Sequence, residues 1–126
     1  MVLIIGGSHQ GKLDFARERF ALSDADVFLC DGSAEQIDTS RRCVACVDRW
    51  ALNRLRAGAD PLAEMEAILP RLKDAVVIAT DISAGVVPVD TLMRAWREAC
   101  GRLTALLAGE ADEVWRLFCG LPQRLK

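Results

Sequence analysis

A three-layer α/β/α domain with a mostly parallel sheet is the fold class this sequence predicts, on three observations. Short apolar runs at residues 2–5, 27–30, 43–47 and 75–79 alternate with stretches of helical period. The runs are continuously apolar, which is how strands covered on both faces read. The first run breaks into Gly6-Gly7-Ser8-His9-Gln10-Gly11-Lys12 and then into a helix, the arrangement in which backbone amides and a helix N-terminus cradle phosphate. The expectation is therefore one phosphate-loop (P-loop) nucleotide-binding domain over residues 1–126.

Each element follows from local pattern. Val2 to Ile5 form the first strand, and Lys12 to Ala21 form a helix with Leu13, Ala16 and Phe20 inward and Asp14, Arg17 and Glu18 outward. Val27 to Cys30 make the second strand. Asp31 to Arg42 are polar and read as a short helix or a loop, and Cys43 to Val47 make the third strand. Trp50 to Arg56 look helical, Gly58 to Pro61 break the pattern, and Leu62, Met65, Ile68, Leu69 and Leu72 share one face of the next helix. Ala75 to Ala79 give a fourth strand. The longest helix is expected from Val89 to Ala108, with Leu92, Trp96, Cys100, Leu103 and Leu107 inward. Glu113 to Cys119 close the sheet as a strand whose alternating pattern marks it as an edge.

Composition narrows the function. With 52% hydrophobic and 27% charged residues and a formal net charge of -2, the chain offers no basic stripe for a nucleic acid. No apolar run approaches a membrane span, and Val2 to Ile5 are too short for a signal-peptide core and lack a cationic leader, so a cytoplasmic protein is expected. The five cysteines invite a metal or disulfide reading, above all Cys43 and Cys46. Residues three apart on one strand point to opposite faces, and His9 is the only histidine, so no second ligand pair exists. All five cysteines are read as small buried hydrophobes in a reducing compartment.

The loop carries the chemistry. Gly6-x-x-x-x-Gly11-Lys12 fits the nucleotide-cradle pattern, but Leu13 stands where a Ser or Thr would offer an oxygen to magnesium. Gly6, Gly7, Ser8, His9, Gln10, Gly11, Lys12 and Leu13 are thus the expected nucleotide-binding segment, for ATP or GTP, with a weakened magnesium site. Lys12 adds a mobile full charge to the loop amides. His9 reads either as a solvated loop residue or as a phosphate contact. Open α/β sheets place ligands beyond the carboxyl ends of their strands, where this chain has Gly6, Asp31, Asp48 and Thr80-Asp81. Asp48, after four apolar residues and before a helix, is the expected magnesium-linked carboxylate, directly or through water. Asp81 and Asp31 are candidates to meet substrate or act as a base, and the alternative for all three acids is a helix N-cap.

These residues support a family comparison. Val76-Val77-Ile78-Ala79-Thr80-Asp81-Ile82-Ser83-Ala84-Gly85-Val86-Val87-Pro88 resembles a strand of the cobinamide kinase and cobinamide-phosphate guanylyltransferase family that ends in an Asn-Glu pair and a Gly-x-Gly-Ile-Val-Pro turn. Ala111 to Trp115 and Gly120-Leu121-Pro122 through Lys126 resemble its last strand and its Gly-Ile-Pro-x-x-x-Lys ending. The Gly6-Gly7 opening fits its Gly-Gly-x-x-Ser-Gly-Lys-Ser loop, and Val47-Asp48 with Trp50 to Leu55 looks like a shortened Val-Asp-Cys-Leu-Thr-Leu-Trp stretch. The resemblance implies kinase chemistry on a cobinamide-type corrinoid, with Lys12 and Asp81 in the catalytic set, and a small homo-oligomer, often a trimer. It also implies a second activity through a guanylylated histidine in mid-chain. This chain has no histidine there, Gln10-Gly11-Lys12-Leu13 replaces Ser-Gly-Lys-Ser, and Asp81 replaces a Glu. Guanylyl transfer is therefore expected to be absent and kinase chemistry weakened, the alternative being a regulatory nucleotide-binding relative without turnover.

Overall fold

The computed structural model describes residues 1–126. Six strands, β1 (Val2–Gly6), β2 (Val27–Leu29), β3 (Cys43–Ala45), β4 (Val76–Thr80), β5 (Glu113–Phe118) and β6 (Leu121–Arg124), form one sheet in the order β2-β3-β4-β1-β5-β6. The first five are parallel; β6 runs antiparallel to β5. Four helices, α1 (Lys12–Phe20), α2 (Val47–Arg56), α3 (Pro61–Ile68) and α4 (Thr91–Glu110), complete the α/β architecture.

Chain direction decides which face each helix covers. From β1 the chain crosses through α1 to the far strand β2, then returns through β3 and β4 to β5 by way of α2, α3 and α4. Right-handed crossovers running in opposite directions place their helices on opposite faces. The strands alternate accordingly: Leu3, Val44 and Val77 join the core beneath α2, α3 and α4 with Val47, Trp50, Met65, Leu103 and Leu107. Ile4, Cys43, Ala45, Val76 and Ile78 join Ala16 of α1 on the other face. Each fully buried Leu or Ile side chain contributes about 1.5–3 kcal/mol relative to exposure. Because β1 leads to one face and its neighbour β4 to the other, a crevice opens between them at the carboxyl edge of the sheet.

Helix ends follow their capping residues. Asp60 accepts from the Leu62 amide at 3.0 Å with Pro61 in the first position, and Asp90 accepts from the Met93 amide at 2.9 Å. That cap moves the longest helix from the expected 89–108 to 91–110. The polar stretch 31–42 contains no helix or strand; the Trp50 indole and the Asn53 amide hold it through the Glu35 and Ala34 carbonyls at 3.2 and 2.9 Å.

Two expectations need correction. The third strand stops at Ala45, because Cys46 turns into the left-handed region at φ 62 and Val47 already begins α2. Strand β5 is not the edge. It ends at Phe118, and Cys119 (φ 52) and Gly120 (φ 75) make a two-residue turn of positive φ that folds β6 back along it.

Candidate functional site at the crevice

The segment after β1 wraps the crevice because its backbone has to. A Cβ on Gly6 would lie 2.5 Å from the Leu117 carbonyl oxygen, so only glycine fits between β1 and β5. The Gly6 carbonyl accepts the Asp81 amide at 2.9 Å, joining the ends of β1 and β4. Gly11 caps α1 at φ 84, a conformation glycine adopts at little cost. Gln10 accepts the Cys119 amide through its side-chain oxygen, which fastens the loop to the β5–β6 turn.

Lys12 is drawn into this loop. Its Nζ donates to the Gly7 carbonyl at 2.6 Å, and the residue is only 8% exposed. Burial pushes its ammonium below the ordinary lysine pKa, while the Asp48 carboxylate and the Cys46 thiol pull the other way. A cavity of about 340 Å³ opens beside it, walled by residues 8–14 of the loop and by Cys46, Arg49 and Thr80. Ser8, His9, Gln10, Gly11, Lys12 and Leu13 are therefore brought together. Gly6 and Gly7 support the loop from behind. His9 is exposed at φ 57 in the cavity wall, and Leu13 presents aliphatic carbon there.

The three acids separate. Asp48, 5% exposed in the first turn of α2, accepts the Thr80 amide through Oδ1 at 2.9 Å, and its carbonyl accepts the Trp96 indole at 2.6 Å. It lies near Lys12 but is not part of the cavity wall. Asp81 lines a second, smaller cavity of about 210 Å³ on the α4 side, with Thr80 common to both. Its Oδ1 accepts the amide and hydroxyl of Ser83, which hold the carboxyl below the usual carboxylate range. Arg97 secures the same segment, donating to the carbonyls of Ser83, Gly85 and Val86. Asp31 stands apart. It lies in neither cavity and accepts from Ser33 in a turn beyond β2.

Magnesium fits this residue set poorly. Leu13 gives no oxygen, Asp48 has one of its two oxygens on Thr80 and stays outside the wall, and no three His, Cys, Asp or Glu residues converge. Arg49 is a charged wall residue that sequence reasoning missed. It follows Asp48 as the third residue of α2 and is exposed, and its place next to a strand-end acid was the one signal in the sequence.

The cysteines are not uniformly buried. Cys30, Cys43 and Cys100 are, and burial pushes their thiols up to about 12. Cys46 is half-buried in the cavity wall, and Cys119 is exposed in the β5–β6 turn. No helix is long and apolar enough to cross a membrane.

The chain is similar in sequence to two curated proteins. The chain is 35% identical over 72 residues to the bifunctional adenosylcobalamin biosynthesis protein CobU of Salmonella typhimurium, a stretch covering 56% of this chain and 40% of that protein. It is 33% identical over 51 residues to the protein of the same name from Escherichia coli K12, covering 40% of this chain and 28% of that one. The matched stretches thus span less than half the length of these relatives. Residues 30–125, which carry Asp48, Arg49, Asp81 and Arg97, match the family described as cobinamide kinase / cobinamide phosphate guanyltransferase, and the chain belongs to that family.

Proposed function

We propose that the chain binds a purine nucleotide, ATP or GTP, in the crevice and takes part in cobalamin biosynthesis as a reduced cobinamide kinase. The observation that carries this reading is the buried Lys12 ammonium inside a glycine loop at the switch point of the sheet. On nucleotide binding, Lys12 exchanges the Gly7 carbonyl for phosphate oxygens, and the amides of residues 8–12 share the remaining charge. Asp48 holds the Thr80 turn from behind the cavity wall. Asp81, ionised and fixed by Ser83, orients the hydroxyl of a cobinamide-type corrinoid. With no mid-chain histidine, guanylyl transfer is absent. The active form is a homo-oligomer, a trimer by family resemblance, in the cytoplasm.

Leu13 favours a second reading, a nucleotide-binding regulator of the same pathway without turnover. One experiment addresses both. Calorimetric titration with ATP and GTP, with and without magnesium, is followed by a phosphoryl-transfer assay on adenosylcobinamide. Binding with transfer supports the kinase, and binding without transfer supports the regulator. No binding at millimolar nucleotide refutes both.

A further inference from the structure

Arg49 is the one guanidinium in the wall of the loop cavity. It is exposed and takes part in none of the chain's ion pairs, whereas Arg54, one turn further along α2, is held by Glu64. Arg49 shares the cavity wall with Lys12 and Cys46. The remaining charges of the wall are Lys12 and Asp14, which offset each other. Arg49 is therefore what makes the wall net cationic. Leu13 supplies no oxygen to this cavity and Asp48 stays behind its wall, so the only carboxylate a cation would meet there is Asp14, beside two cationic side chains. A cavity that presents a free guanidinium where a cation would need ligands is built for an anion that arrives without one.

We propose that Arg49 is a phosphate contact of the loop cavity, and that the pocket takes a nucleoside triphosphate as the free anion, with Arg49 neutralising charge that magnesium would otherwise carry. The proposal rests on the nucleotide reading above and adds a residue and a ligand form to it. Lys12 lines the cavity from the start of α1 and Arg49 from α2, so the phosphates meet one cation from each element.

The test is calorimetric titration of the full chain with GTP and ATP, in chelator and in magnesium, for the native protein, Arg49→Gln and Arg49→Lys. Native affinity in chelator is expected within about threefold of that in magnesium, since a tenfold change would require about 1.4 kcal/mol of metal-linked stabilisation. Arg49→Gln should weaken binding in chelator about tenfold or more, the loss of one charge-assisted contact, and Arg49→Lys should recover part of it. The loss should be smaller for the nucleoside monophosphate. Circular dichroism on each variant checks the fold, which an exposed side chain should leave unchanged. Native binding only in magnesium, or Arg49→Gln binding as tightly as native in chelator, overturns the proposal while leaving nucleotide binding intact. Absence of native binding in both buffers overturns the nucleotide reading itself.

Discussion

Asp48 spends one carboxylate oxygen on the Thr80 amide at 2.9 Å, so the acid at the start of α2 holds the last residue of β4 between the two cavities. A buried donor left without a partner costs about 1–3 kcal/mol. Asp48→Ala should lose that much in urea denaturation, and Asp48→Asn, which keeps an acceptor oxygen, less than about half of it. If Asp48 works chiefly through a metal, both variants keep near-native stability and lose magnesium-dependent nucleotide affinity together. Equal destabilisation by Asn and Ala contradicts the hydrogen-bond role.

Lys12 gives the site a pH dependence of two opposite signs. Its folded-state pKa lies below the ordinary lysine value because of burial. Between that lowered value and the ordinary one, the folded chain carries neutral Lys12 and the unfolded chain the charged form. The unfolded state then holds the extra proton, so Lys12's contribution to stability rises with pH across this window. Phosphate affinity falls across the same window as the ammonium is lost. Titrations from neutral pH upward should show the affinity decline in the native chain. The stability contribution of Lys12 should appear as the difference between native and Lys12→Gln urea melts, because Cys30, Cys43 and Cys100, held up to about 12 in the folded chain, lower the stability of both proteins over part of the same window. Lys12→Gln should abolish the affinity decline; a native affinity unchanged up to the ordinary lysine pKa contradicts phosphate contact by Lys12.

Thiol chemistry should report the cavity directly. The thiolate is the reactive form, and burial holds Cys30, Cys43 and Cys100 up to about 12. At mildly alkaline pH a thiol reagent should label one residue fast, the exposed Cys119, and Cys119→Ser should remove that phase. Cys46, half-buried in the cavity wall with its thiol also raised, should react slowly and more slowly still with ATP or GTP bound. The other three should appear only in denaturant. Nucleotide that leaves the slow phase unchanged argues that the ligand does not occupy this cavity.

Much of this was legible in the sequence because it is local. Continuous apolar runs gave the parallel strands, and the glycine spacing placed a loop whose Gly11 needs a positive φ. The corrected elements share one cause: Cys46 and Cys119 adopt the left-handed region without being Gly, Asn or Asp, so the first turn carried no signal and the second only half of one, at Gly120. β6 was hidden further by Pro122, a residue tolerated in a strand only at an edge such as this one. Asp31 stayed a candidate behind Asp48 because both follow a strand. The order β2-β3-β4-β1 puts two strands between β2 and the loop, and that order is set by crossovers no local pattern encodes. Arg49 was missed for the same reason, since an exposed arginine on a helix acquires meaning only from the loop it faces.

The last prediction concerns the second activity of the family's name. A guanylylated intermediate needs a nucleophile in line with the α-phosphorus, and His9 is the only imidazole in the chain. It stands at φ 57 in the loop proposed to wrap the phosphates, exposed at the cavity wall. A histidine there lies alongside the phosphate chain, where attack opposite the pyrophosphate leaving group is geometrically unfavourable. No covalent GMP adduct should therefore form. The measurement is intact-mass spectrometry at neutral pH after incubation with GTP and magnesium, because a phosphoramidate is lost in acid. A mass increase of one GMP that disappears in His9→Ala would show that the loop histidine has taken over the transfer. The phosphates would then have to enter the cavity in the reverse direction, with the α-phosphate beside His9.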